Sequence, residues 1–94
     1  MHKLRFEWDD DKAKANERDH GLSFEEAIEV FDDGNALEEY DAEHSMDEQR
    51  FHIIGLSSRR LLFVVYAERE ADVIRIISAW KAGKKYRDAY ESNQ

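Results

Sequence analysis

The chain has 94 residues, of which 41% are hydrophobic, 38% charged and 12% aromatic, so it fits a small folded domain better than a disordered segment. It contains no Cys, which excludes disulfides, thiolate metal sites and a cysteine nucleophile. No apolar run approaches the roughly 18 residues of a membrane span, and residues 1–8 lack the long apolar stretch of a signal peptide. These features predict one cytoplasmic domain over residues 1–94.

The net charge of −8 argues, taken alone, against a nucleic-acid partner. Its distribution is uneven, because residues 1–47 carry a net charge of −11 and residues 48–94 a net charge of +3. Five basic residues and no acidic ones lie between Arg75 and Arg87. One end could therefore face phosphate and the acidic half a basic partner, although both could equally be ordinary solvated faces.

The N-terminal third predicts one strand and two helices. Residues 3–8 alternate polar and apolar, as a strand does, and the acidic run 9–11 suits a helix N-cap. The first helix is expected to end near Asp19, with Gly21 as its left-handed terminator and small residues such as Ala13 in its packing face. Ser23 and Glu26 form a capping box at the start of a second helix. One face of that helix is expected to carry Phe24, Ala27, Ile28 and Phe31, widened by Val30.

The remainder predicts four strands and one helix. The strand segments are 36–40, 50–56, 60–67 and 73–80; a polar loop spans 41–48, and a basic helix runs from Lys84 to Glu91. Short turns between successive strands imply an antiparallel meander. The predicted fold class is therefore α+β, with two N-terminal helices and a short C-terminal helix packed on one face of the sheet.

Several kinds of site are disfavoured by the sequence. The four glycines are too scattered for a phosphate loop. The loop acids and His44 match no metal-ligand spacing, so we expect neither a metal nor another cofactor. Asp41, His44 and Ser45 could be written as a catalytic triad, but an adjacent Ser and His on a loop do not face each other, and we set that interpretation aside.

Arginines among apolar strand residues are the strongest local signal. Arg50, Arg60 and Arg75 lie on predicted strands, where an Arg either pairs with an acid such as Glu48 or Glu7, or lines a cleft. RNA can be cleaved without a metal when a protein deprotonates the ribose 2′-hydroxyl, neutralises the phosphate and protonates the leaving oxygen. The chain has the residue types for this, as do many inert proteins.

An ordered set of short motifs resembles the BrnT family, the toxin half of a bacterial type II toxin–antitoxin pair. The set covers roughly residues 6–90 and comprises Phe6-Glu7-Trp8-Asp9, Lys12, Asn16, His20-Gly21, Phe24, Ala27, Val30-Phe31-Asp32, Asp41, His44-Ser45, Glu48, Arg50, Ile54-Gly55, Ser57, Arg60, Leu62, Val64, Tyr66, Ile74 to Ala79, and Tyr90. The resemblance implies a RelE-like fold and a ribonuclease that slows translation and growth. It also implies a BrnA antitoxin, whose ribbon-helix-helix part binds operator DNA so that the complex represses its own operon.

With this resemblance, the expected catalytic residues are His20, Glu48, Arg50 and Arg75. Each has a structural alternative: His20 as a helix cap, Glu48 as the partner of Arg50, and both arginines as ion-pair residues. The expected RNA contacts are Lys12, Trp80, Lys81, Lys84 and Lys85.

Three positions depart from the family pattern. Trp80 stands where the family usually has Arg, Tyr86 lies near a usual Glu, and Arg59 stands where a turn Gly is common. Losing one charge-assisted contact can cost about 3–4 kcal/mol in a catalytic site. The chain is therefore either an active toxin in which Trp80 stacks on a base and Lys81 supplies the charge, or a weakened toxin that retains antitoxin binding. A plain interaction domain that uses the acidic face is the third alternative.

Overall fold

The computed structural model describes residues 3–93, so Met1, His2 and Gln94 of the expected domain lie outside the described residues. Two 3-10 segments, Ile28–Asp32 and Ala42–His44, accompany the regular elements. These elements are β1 (Arg5–Glu7), α1 (Asp10–His20), α2 (Phe24–Ala27), β2 (Leu37–Tyr40), β3 (Gln49–Leu56), β4 (Leu61–Glu70), β5 (Val73–Lys81) and α3 (Lys84–Ser92). Within residues 3–93, no helix has the length and apolar character needed to cross a bilayer.

The five strands form one sheet in the order β1-β5-β4-β3-β2. Strands β2 to β5 are an antiparallel meander, which confirms that part of the prediction. β1, however, runs parallel to β5, with Arg5 opposite Val73 and Glu7 opposite Arg75. The sheet is therefore mixed, because the long excursion between β1 and β5 permits a parallel return that a short turn would forbid.

The helices lie on both faces of the sheet, and the prediction that all of them share one face is wrong. Face A, which carries Leu62, Val64 and Tyr66 of β4, packs against the N-terminal helical segments. Face B, which carries the alternate residues Leu61 and Phe63, packs against α3. The physical reason is the continuous apolar run of β4, since a strand that is apolar on both sides must be covered on both sides.

Helix α1 has the predicted boundaries. Asp9 is its N-cap and accepts a hydrogen bond from the Lys12 amide, and Gly21 terminates it at φ 65°. Asn16 is the buried residue of this helix, and its amide bonds to both the N–H and the C=O of Ala79. Through Asn16, α1 therefore supplies hydrogen-bond partners to the edge of β5 beyond the residues that pair with β1.

The second helical segment is tighter than its periodicity suggested. It is α-helical only from Phe24 to Ala27 and then 3-10 from Ile28 to Asp32. With about three residues per turn, Phe24, Ala27 and Val30 align and are fully buried. The segment lies so close to β3 that a Cβ added at Gly55 would be 2.7 Å from Cγ1 of Val30. Gly at this position therefore permits the close approach of the two elements.

Candidate active site

Arg50 and Arg75 lie in one row across face B. Arg50 of β3 and Arg75 of β5 are both directly opposite Ala67 of β4, and Glu7 of β1 lies beyond Arg75 in the same row. Two inter-strand spacings separate the arginine backbones by about 10 Å. Ala67 between them is small and fully buried, so the two arginine side chains on either side of it are the polar groups of this row.

Neither arginine has the acidic partner that the sequence suggested. Within residues 3–93, the side chains of Arg50 and Arg75 form no ion pair or hydrogen bond, and both are half-buried. Glu48 lies 3.8 Å from Arg69 rather than pairing with Arg50, which corrects that expectation. Two half-buried guanidinium groups without carboxylate partners are suited to an anion.

The loop after β2 folds onto the backbone of Arg50. The Asp41 amide donates to the Arg50 carbonyl (2.8 Å), and the Arg50 amide donates to Oγ of Ser45 (2.9 Å). Oγ of Ser45 in turn donates to the Asp41 carbonyl (2.6 Å). Ser45 thus closes the loop through hydrogen bonds to the backbone of Asp41 and Arg50.

This fold of the loop brings His44 and Glu48 beside Arg50. Nδ1 of His44 lies 2.9 Å from Oδ2 of Asp41, and a cleft of about 280 Å³ adjoins it. Burial raises the pKa of Asp41, but the hydrogen bond and the charge of His44 outweigh it, so that the pKa of this carboxyl is below its ordinary value. The cleft residues are Glu43, His44, Met46, Asp47, Glu48 and Arg50.

His20 and Trp80 lie elsewhere on the sheet. Trp80 stacks on Phe63 at 4.9 Å and 13°, and the exposed His20 ring at the end of α1 is 5.8 Å from Trp80. Phe63 is four residues along β4 from Ala67, which corresponds to about 13 Å. His20 is therefore not brought together with Glu48, Arg50 and Arg75.

The five lysine and tryptophan positions expected to contact RNA are dispersed. Lys12 is on α1, whereas Trp80 and Lys81 end β5. Lys84 pairs with Asp88 at 2.9 Å, and Nζ of Lys85 lies 5.6 Å from the Tyr86 ring centre. Trp80 packs against the apolar cluster of face B, and Lys85 lines a groove beside Tyr86.

Sequence reasoning missed two features of this site. The i, i+3 spacing of Asp41 and His44 is the signal that could have revealed their pairing, since a 3-10 turn places those side chains on one side. Arg69 lies beyond the predicted strand segment 60–67 but belongs to β4, and nothing local marks it as the partner of Glu48. Within residues 3–93, no three His, Asp or Glu side chains converge as a metal site.

Comparison with known proteins assigns this domain, a mixed sheet with helices on both faces, to the class of small ribonuclease toxins. Over 87% of this chain and 100% of the other, the crystal structure of the Brucella abortus ribonuclease toxin BrnT matches with a TM-score of 0.59 at 18% sequence identity, which shows a common fold. The sequence model of the family described as the ribonuclease toxin BrnT of type II toxin–antitoxin systems matches residues 8–85. The chain belongs to this family, as its motifs indicated, whereas no curated protein matches it in sequence.

Proposed function

We propose that this chain is an endoribonuclease toxin that cleaves RNA without a metal ion and so inhibits translation and growth. The observation that supports this most is the Arg50–Ala67–Arg75 row, with both guanidinium groups unpaired among the described residues. The substrate phosphate would bind between the two guanidinium groups, where two positive charges stabilise the additional negative charge of the pentacoordinate transition state. Glu48, which lines the same cleft as Arg50, would accept the 2′-hydroxyl proton.

RNA binding would extend from this row towards the apolar end of face B. Trp80 would contact a flanking base there, and His20, Lys81, Lys84 and Lys85 would lie along the phosphate backbone, since aromatic faces and basic groups together hold single strands. Lys12, on α1, would contribute only to a longer substrate.

The partner would be a BrnA-type antitoxin with a ribbon-helix-helix part, through which the complex contacts operator DNA. Membership of a type II toxin–antitoxin family supports an antitoxin partner. The net charge of −11 over residues 1–47 is suited to a basic segment of that partner.

The test is cleavage of a single-stranded RNA by the purified protein in excess EDTA. We expect cleavage to persist in EDTA, to fall at least a hundredfold in Arg75→Ala or Arg50→Ala, and to be unchanged in Arg18→Ala. Arg18 is an exposed α1 residue paired with Asp19, and it controls for the loss of one positive charge. Cleavage that depends on an added divalent cation would contradict the mechanism.

An attenuated toxin that acts mainly as an antitoxin-binding co-repressor is the second candidate. It is favoured by the Trp80–Phe63 stack, because one face of the indole is already covered. Expression of the chain and of Trp80→Arg, each with and without the antitoxin, separates the two candidates. If only Trp80→Arg arrests growth, the attenuated form is correct; arrest by both supports the active toxin.

A further inference from the structure

His44 is a histidine that the proposed mechanism does not use, although it lies in the same cleft as Glu48 and Arg50. We propose that His44, oriented by Asp41, is the general acid that protonates the leaving 5′-oxygen during RNA cleavage. This inference rests on the proposed ribonuclease function, and the experiment below distinguishes the failure of one from the failure of the other.

The Asp41 carboxylate fixes the imidazole in one orientation. Its Oδ1 accepts the His44 backbone amide at 3.3 Å and its Oδ2 binds Nδ1 of the ring at 2.9 Å, so both oxygens hold the same residue. Nε2 has no hydrogen-bond partner within residues 3–93, and the side chain is 61% exposed. A ring that lines the cleft, with Nδ1 on a carboxylate and Nε2 without a protein partner among the described residues, has the arrangement that proton-transfer histidines require.

The loop does not need the imidazole in order to fold. Asp41 caps the 3-10 segment through the backbone amide of His44, and Ser45 closes the loop through the backbone of Arg50 and Asp41. An exposed ring that pairs with a carboxylate adds little stability of its own. A role in the chemistry of the cleft therefore accounts for this orientation better than a role in folding.

The cleft supplies the three groups that metal-free RNA cleavage needs. The 2′-hydroxyl loses its proton to the Glu48 carboxylate, and its oxygen attacks phosphorus held by Arg50. The bond from phosphorus to the 5′-oxygen breaks, and that oxygen takes the Nε2 proton of the His44 imidazolium. The products are a 2′,3′-cyclic phosphate and a free 5′-hydroxyl; solvent then restores both protonation states, so atoms and charge balance.

The acid role makes the effect of a His44 variant depend on the leaving group. Two substrates are compared: a uridine-containing dinucleotide, whose leaving alkoxide needs a proton, and uridine 3′-(4-nitrophenyl phosphate), whose leaving phenolate does not. We expect His44→Ala and His44→Gln to lose about a hundredfold or more in kcat/KM on the dinucleotide and less than tenfold on the nitrophenyl ester. Asp41→Asn keeps a cap acceptor but removes the charge. It should give a smaller loss in kcat/KM, which is again larger on the dinucleotide than on the nitrophenyl ester.

The pH profile provides a second readout. Wild-type dinucleotide cleavage should decline on the alkaline side, and this limb should be absent in His44→Gln. The other charged groups near His44 are Asp41, Glu43, Asp47, Glu48 and Arg50, and the charge of His52 acts on Asp41; all of them remain in that variant. His52→Gln is the matched control, because its ring contacts Phe63 and lies 3.5 Å from Glu39; its activity should stay within about threefold of wild type.

Two results would overturn the inference. Dinucleotide cleavage by both His44 variants within threefold of wild type would remove His44 from the reaction, and an equal loss on both substrates would exclude the acid role. Thermal unfolding identifies a variant that has lost its fold, and the Gln variant replaces the Ala variant in that case. A wild-type protein that cleaves neither substrate would overturn the ribonuclease proposal itself, and this inference with it.

Discussion

Glu26 is a buried carboxylate whose partners come from a distant part of the chain. Nη2 and Nε of Arg60 donate to its two oxygens at 2.9 and 3.0 Å, and the Ser57 hydroxyl donates at 2.7 Å. The Ser23 hydroxyl does cap the helix by accepting the Glu26 amide, but the Glu26 carboxylate does not return to Ser23 as a capping box requires. The local motif thus predicted that Ser23 caps the helix, whereas Arg60, 34 residues after Glu26, determines the direction of the Glu26 carboxylate.

Replacing Glu26 with Gln should lower the free energy of unfolding by about 2–3 kcal/mol, because Arg60 would lose the charge that it faces. The hydrogen bond from Arg60 lowers the pKa of Glu26; burial opposes this, Ser57 adds to it, and the net pKa lies below the ordinary 4.5. Since the folded-state value is the lower one, this stabilisation is present above pH 4.5 and is lost as the pH falls through the folded pKa.

Urea unfolding of wild type and Glu26→Gln between pH 3 and 7 checks both statements. The difference between the two proteins should be largest near neutral pH and should shrink towards pH 3. Asp19→Asn is the control, since Asp19 and Arg18 are 57% and 73% exposed, and this variant should change stability by less than about 0.5 kcal/mol. A difference that does not depend on pH would mean that the charge of Glu26 is not what stabilises the fold.

At the level of elements, α1 is attached to β5 by one amide side chain. Nδ2 of Asn16 donates to the Leu22 carbonyl at 3.0 Å and to the Ala79 carbonyl at 2.9 Å, while its Oδ1 accepts the Ala79 amide at 3.1 Å. The same three bonds connect the helix, the segment after it and the unpaired edge of the last strand. Without Asn16, the backbone groups of Ala79 would be buried and unsatisfied.

Asn16→Ala should therefore destabilise the protein by about 2–3 kcal/mol, and Asn16→Asp by more, because a carboxylate cannot donate to either carbonyl. Hydrogen exchange at the Ala79 amide gives the local measurement, with exchange expected to accelerate in both variants. Lys14→Ala, on the exposed side of the same helix, should leave that amide unchanged. Unaltered protection of Ala79 in Asn16→Ala would show that the edge of β5 is held by other contacts.

Elements defined by local signals were predictable, and those defined by distant pairing were not. Helix α1 begins after Asp9 and ends before Gly21, as the sequence predicted, because caps depend on adjacent residues. The parallel direction of β1 and the position of α3 on face B depend on which surfaces remain uncovered after the sheet forms. The same holds for the candidate site. The sequence could indicate Arg50 and Arg75 as candidate residues, but only the strand register, with both opposite Ala67, shows that they lie in one row.

The molecule as a whole separates its charges between its two halves. Residues 1–47 hold 16 acidic and 5 basic side chains, whereas residues 48–94 hold 6 acidic and 9 basic ones. With a net charge of −8, the chain attracts a polyanion only through its basic surface, at short range. Association with RNA should therefore be weak, local and sensitive to salt.

The salt dependence of binding measures how many basic groups contact the RNA. A 2′-O-methyl oligonucleotide, which cannot be cleaved through its 2′-oxygen, should bind with a slope of log Kobs against log[salt] of about −0.7 per phosphate contact. The double variant Lys84→Gln/Lys85→Gln should reduce the magnitude of that slope by about 1.4, since two contacts are lost. Lys14→Gln, exposed on α1, should leave it unchanged. If the double variant retains the wild-type slope, the start of α3 does not face RNA, and the substrate path ends near the arginine row.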